Sequence, residues 1–241
     1  SSLFETPEPY LRIIEALAGK KAGMTRNVVL NRSGLSGSGT FTTQLKDLES
    51  CGFIRSYHAF GKKKKDTLYQ LMDPYVLFYH HFLRGAPNDR NFWTNQINTP
   101  RRNAWSGLAF ERVCLQHVEQ IRWALGISGV LSDVCSWSCV ADGERGLEGS
   151  QVDLVIARSD RVINLVEAKF SGAPYVITKK LDADMRRKRN DFMLATVVMD
   201  DTVTLVFDLL PGDVSSFGDA ACSCASGYDL DTKMVNSNFG F

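Results

Sequence analysis

The segment QVDLVIARSDRVINLVEAKF, residues 151–170, constrains the fold more than any other part of the chain. Two apolar runs, Gln151–Ala157 and Val162–Phe170, are separated only by the polar stretch RSDR. A polar tetrapeptide of this kind reads as a tight turn, so the two runs predict an antiparallel hairpin. Both runs are apolar enough to be central strands rather than half-solvated ones. Three charged residues, Asp153, Glu167 and Lys169, are embedded in them. Charges inside such strands need a reason to be there.

The neighbouring patterns predict helices on both sides of this hairpin. Residues 107–125 form one amphipathic helix, with Leu108, Val113, Cys114, Val118, Ile121 and Leu125 on its apolar side. A strand is expected over Val130–Val134, then a Gly-rich loop over Asp142–Ser150. After the hairpin come a charged helix over 177–193 and strands over Ala195–Met199 and Val203–Phe207. Helix, three strands, helix and strand make an α/β sandwich with a central mixed sheet. The tail from 211 to 241 is poor in strand signal.

The N-terminal part reads differently. Residues 7–19 open with Pro in the first turn and carry Leu11, Ile14, Leu17 and Ala18 at helical spacing. A short helix over Thr25–Asn31 and a Ser/Gly turn at 33–40 follow. A third helix, Phe41–Cys51, buries Leu45 and Leu48 and is stopped by Gly52. Alternating runs Phe53–Phe60 and Thr67–Leu71 then flank a tip of Gly61 and Lys62, Lys63, Lys64 and Lys65, which is a hairpin. Three helices and a hairpin is the order of a winged helix-turn-helix, and residues 7–73 resemble that family. The aromatic stretch Asp73–Trp93 predicts a helix used for core or interface packing. The expected domains are 1–75, a connection over 76–105 with the polar boundary at 94–106, and 106–241.

Composition removes several function classes. Lys and Arg (28) nearly balance Asp and Glu (27), so nucleic-acid binding would rest on local basic patches. No apolar run is long enough for a membrane span, and the first residues lack the basic start and apolar core of a signal peptide. Six scattered cysteines in a chain of 241 residues read as thiols in a reducing cytosol, and no histidine lies at finger-like spacing from them. His58, His80, His81 and His117 assemble no site, and no Ser or Cys lies in a nucleophile motif.

Chemistry is therefore sought at Asp153, Glu167 and Lys169. Residues i and i+2 of a strand share a face, so Glu167 and Lys169 project together, and the hairpin brings Asp153 alongside. Two carboxylates on adjacent strands can hold a hard divalent cation, and a neighbouring lysine can orient or help deprotonate an attacking water. The bland reading is a solvated strand face on which Lys169 merely pairs with Glu167.

An Asp, thirteen intervening residues and Glu-Ala-Lys, in this order of elements, resemble the PD-(D/E)XK nuclease superfamily. The resemblance implies Asp153 and Glu167 as ligands of Mg²⁺ or Mn²⁺, Lys169 as catalytic lysine, and help from the backbone carbonyl of Ala168. It also implies Glu111 as an accessory acidic ligand. Gln151, two residues before Asp153, would contact the bound water or phosphate. The phrases LYQLMDPYVLFYHHFL, AWSGLAFERVCLQHV, GSQVDLVIARSDRVINLVEAKF and ITKKLDADMRRKRNDF are similar to the C-terminal half of prokaryotic, archaeal-type AAA ATPases. Those proteins carry a P-loop ATPase before the winged helix, and this chain contains no G-x-x-x-x-G-K-[ST]. The expected chain is thus the C-terminal portion of such a protein or a product lacking the ATPase. An ATPase domain or another protein would be its partner.

Lys62–Lys65 sit where a wing reaches a DNA backbone, with Lys46 and Arg55 near the same face. They serve equally as a solvated hairpin tip. Lys179 and Lys180, in the first turns of the helix after the site strand, could guide a phosphate backbone. Arg186–Arg189 read instead as a surface helix pairing with Asp182 and Asp184. The reading is a cytoplasmic, metal-dependent DNA nuclease-like protein. Its rivals are an inactive nuclease fold serving as a DNA- or protein-binding regulatory module, and a sequence-specific regulator.

Overall fold

The computed structural model describes residues 3–62, 66–85, 89–171, 178–196, 202–210 and 232–235. The chain divides into two compact units, Ser1–Arg112 and Val113–Phe241. The fold is mixed α and β, with two separate sheets.

The first unit runs α1 (Glu8–Ala18), β1 (Met24–Thr25), α2 (Arg26–Ser33), α3 (Gly39–Ser50), β2 (Ile54–Tyr57) and β3 (Leu68–Leu71). The strands form an antiparallel sheet in the order β1-β3-β2. Its core is the apolar stripe of each helix: Ile13, Ile14 and Leu17 from α1, Val29 from α2, and Phe41, Leu45 and Leu48 from α3, closed by Ile54 and Leu71. Leu11, expected on the buried side of α1, is 56% exposed, and Ile13 takes its place. Helix α3 ends as expected, with Gly52 in the left-handed region at φ 76°. A Cβ at Gly52 would meet no atom within 4 Å. Gly52→Ala therefore costs only the backbone conformation, about 1 kcal/mol. Urea denaturation should show that loss with an unchanged m-value.

The single helix expected over Asp73–Trp93 is shorter. Helix α4 (Pro74–Phe78) starts on Asp73, whose carboxylate accepts from the Val76 amide at 2.6 Å, and passes into one π-helical turn, Tyr79–Leu83. The aromatic side chains pack on one another: Phe78 lies 5.0 Å from Trp93 and 5.4 Å from Trp105, all edge to face. Helix α5 (Pro100–Gln116) carries Glu111 and Arg112 at the end of the first unit.

The expected helix over 107–125 is broken at His117, whose φ −112° and ψ 34° are not helical, and α6 (Val118–Ala124) restarts there. The second unit then forms β4 (Ser132–Cys139), β5 (Ser150–Arg158), β6 (Val162–Phe170), α7 (Lys179–Thr196), β7 (Thr202–Leu210) and β8 (Thr232–Val235). The sheet order is β4-β5-β6-β7-β8. The first three strands pair antiparallel and the last three parallel, so the sheet is mixed. Parallel neighbours need a crossover, which α7 supplies between β6 and β7. Of the strand expected over Ala195–Met199, Ala195 and Thr196 belong to α7 and the rest lies outside the described residues. Most of the tail also lies outside them, but Thr232–Val235 contributes an edge strand that the sequence pattern did not announce.

Candidate active site at the β5–β6 hairpin

The hairpin pairs Ala157 with Ile163 and continues to Leu154 opposite Val166. One more step in this register sets Asp153 opposite Glu167. There the ladder gives way to a side-chain bond: the Ala168 amide donates to Asp153 Oδ2 at 3.2 Å. On its other edge β5 is irregular. Cys135 pairs with Val155 and Trp137 with Val152, so two steps along β4 span three along β5. This is a bulge with its extra residue in the stretch Val152–Val155. Strict alternation from Val152 would turn Asp153 away from Glu167; the extra residue turns it back.

Helix α7 lies over the face that carries Glu167. Phe192 of α7 packs edge to face on Trp137 at 5.1 Å, and Lys188 of α7 reaches across to Glu167. The Glu167 carboxylate is 3% exposed, so its charge needs partners inside the protein. It has two. Lys169 Nζ donates to Oε1 at 2.5 Å, and Lys188 Nζ donates to Oε1 and Oε2 at 2.9 and 2.8 Å. Asp184, one turn before Lys188, lies 3.9 Å from its ammonium and also accepts from Arg187. Desolvation works to raise the Asp184 pKa. The Arg187 hydrogen bond and the charges of Lys188, Arg187 and Lys169 outweigh it, holding the carboxyl below its ordinary value.

A second polar group on α7 ties down the loop before β5. Asp191 is buried and accepts from the Glu148 amide at 3.1 Å and from the Ser150 hydroxyl. Arg187 donates to the Gly149 carbonyl and to Ser150 Oγ, both at 2.9 Å. Gly149 has φ 88°, and a Cβ there would meet the Ala141 amide nitrogen at 3.0 Å. The chain entering β5 is thus held from both sides within a few residues of Asp153.

The remaining residues singled out in the sequence are placed as follows. Gln151 is exposed, opposite Ser138; alternation puts it on the face away from Ser150 and Val152, and so not with Glu167. Glu111 is buried in the first unit and ion-paired to Lys21 at 2.8 Å and Arg112 at 3.0 Å. Arg112, also buried, donates to the Lys21 carbonyl at 2.6 Å, and Gln70 donates to the same oxygen at 2.9 Å. Arg55 joins that network through Gln70 Oε1 at 2.8 Å, and burial lowers its pKa to about 10. Its half-buried guanidinium lies over the Tyr57 ring, 4.2 Å from the centroid. Lys46, Lys62, Lys179 and Lys180 are exposed, and Lys63, Lys64 and Lys65 lie outside the described residues. Among the described residues no three His, Cys, Asp or Glu side chains converge.

Lys188 sits in the charged run Arg186–Arg189, whose composition alone predicts a solvent-facing surface, but its helical phase points the other way. Leu181, Met185, Lys188 and Phe192 recur at i, i+4, i+7 and i+11, which puts Lys188 on the apolar stripe of α7 rather than on its solvent side. Compared with models of known protein families and with curated proteins, the chain matches none.

Proposed function

We propose that the second unit is a PD-(D/E)XK-type, metal-dependent nuclease domain acting on DNA phosphodiesters, and that the first unit is a winged helix that positions it. The observation that carries this reading is the grouping of Asp153, Glu167 and Lys169 at one end of the central hairpin, with Asp153 bonded to the amide of Ala168. The mixed sheet with α7 as its crossover supports the nuclease-like fold. The order α1, α2, α3, then the β2–β3 hairpin, supports the winged helix.

The donor set fits a hard divalent cation: two carboxylates on adjacent strands, one half-buried and one buried, both oxygen ligands. Asp153 and Glu167 would hold Mg²⁺ or Mn²⁺, which would supply charge stabilisation for a phosphorane-like transition state. Lys169, with a side chain 33% exposed, is the group able to hold a water against the phosphate. The water oxygen forms the new bond to phosphorus and gives up a proton to solvent, the bond to one ester oxygen breaks, and the departing oxygen takes a proton from solvent and leaves as a hydroxyl. Lys179 and Lys180, exposed in the first turn of α7, would contact the phosphate backbone, as would Lys46 and the wing lysines of the first unit.

The test is cleavage of labelled linear, branched and single-stranded DNAs with Mg²⁺ or Mn²⁺, with Glu167→Ala as control. Cutting that requires the metal and disappears in the variant is the expected result. Cutting that persists in Glu167→Ala would remove the assignment. One observation favours a second reading, an inactive fold kept as a binding module of an ATPase-type system: both Glu167 oxygens already carry an ammonium. It predicts a folded protein that binds DNA or a protein partner and neither cuts DNA nor takes up metal.

A further inference from the structure

We infer that Lys188 is a tethered counter-cation that neutralises Glu167 until a divalent metal binds and is then displaced toward Asp184. The inference rests on the nuclease reading above and concerns how that site is kept charged in the absence of metal.

A carboxylate that is 3% exposed cannot wait for its metal as a bare anion. Lys188 solves this by donating to both Glu167 oxygens, at 2.9 and 2.8 Å, so both of the carboxylate's oxygens already face a cation. Of the two Glu167 oxygens Lys169 donates to Oε1, and it comes from the same strand as Glu167, so it can remain in place beside a bound ion. Asp153 and Glu167 carry two negative charges, and Lys169 and Lys188 two positive ones, so a divalent ion entering this set brings two uncompensated charges. One ammonium has to withdraw. Lys188 has somewhere to go: Asp184 lies on the same helix face, 3.9 Å from its Nζ. Asp184 is also 39% exposed in its side chain, so the pair formed there reaches solvent. The exchange moves one ammonium from a buried carboxylate to a half-exposed one and requires no backbone change.

A plain structural salt bridge and a displaceable counter-cation differ in what they do to metal affinity. Titrating the 241-residue chain with Mn²⁺ by calorimetry, with far-UV circular dichroism and urea midpoints to check folding, separates them. Lys188→Met removes the competitor, and Mn²⁺ should bind about tenfold tighter, the usual size of a desolvated charge coupling. Asp184→Asn leaves Glu167 untouched but removes the resting place of the displaced lysine, and Mn²⁺ should bind several-fold more weakly. In the Lys188→Met background the Asp184→Asn change should lose most of that effect, because the two residues act as one device. Should Lys188→Met prove too unstable, Lys188→Gln keeps a donor without the charge and should still tighten binding. Wild-type binding that is unchanged or weakened in Lys188→Met and Lys188→Gln overturns the inference while leaving the metal site standing. No Mn²⁺ binding in wild type or in either lysine variant would instead remove the metal-site reading on which it rests.

Discussion

Lys169→Met is expected to reduce metal-dependent DNA cleavage by about 10²–10⁴-fold, the usual contribution of a positioned proton-transfer group, while Mn²⁺ still binds. The lysine contributes no oxygen ligand, so the carboxylates of Asp153 and Glu167 would keep the ion. What is lost is, among the described residues, the ammonium beside Glu167 that is a third exposed and thus able to meet a water and a phosphate; Lys188 is 12% exposed and faces Glu167 from the helix side. Folding should be close to intact, because Lys188 still holds both oxygens of the buried carboxylate. Single-turnover cleavage, with Mn²⁺ binding measured in parallel, separates the two effects. Cleavage within a few-fold of wild type would remove Lys169 from the chemistry, and loss of Mn²⁺ binding would assign it to holding the site together instead.

Asp191→Ala should be the most destabilising of the substitutions considered, by roughly 3 kcal/mol. Asp191 is 2% exposed and gathers the Glu148 amide, the Ser150 hydroxyl and, at 3.6 Å, the Arg187 guanidinium. Alanine leaves a buried hydroxyl and an amide short of an acceptor and removes the anion opposite Arg187. Asp191→Asn keeps an acceptor for the Glu148 amide and should recover a good part of the loss. Urea midpoints measure both. An alanine variant within about 0.5 kcal/mol of wild type, the range of an ordinary surface substitution, would mean that the loop before β5 does not depend on this anchor.

Much of the second unit was legible because its signals are local. The polar tetrapeptide between two apolar runs fixed the β5–β6 hairpin, and β6 spans Val162–Phe170 as the pattern predicts. Glu167 and Lys169 follow from alternation along one strand. The break at His117 was not legible, since the buried positions Cys114, Ile121 and Leu125 keep helical phase across it. Periodicity reports a face and is blind to an interruption that preserves it. The bulge beside Asp153 carries no glycine and arises from pairing with a strand some fifteen residues earlier, so no local rule exposes it. Lys188 was hidden by its neighbours: in the run Arg186–Arg189 three arginines mask one lysine at an apolar-stripe position. Glu111 has ion-pair partners that no local pattern announces: Lys21, ninety residues earlier, and its neighbour Arg112 both contact its carboxylate.

The strand Thr232–Val235 has a consequence for the protein outside its chemistry. It pairs in parallel with Leu205–Asp208 of β7 and covers that length of the sheet's edge. An uncovered edge of this kind presents a row of backbone donors and acceptors, and β7 around it is apolar in sequence, TVTLVFDLL. Such an edge is a template for strands of other molecules, so a proteolytic nick or a frameshift upstream of Thr232 would turn a folded protein into an aggregating one. With β8 in place the sheet ends there on a strand of four residues instead of on the nine-residue, apolar β7, so a short stretch of chain decides how sticky that side of the sheet is.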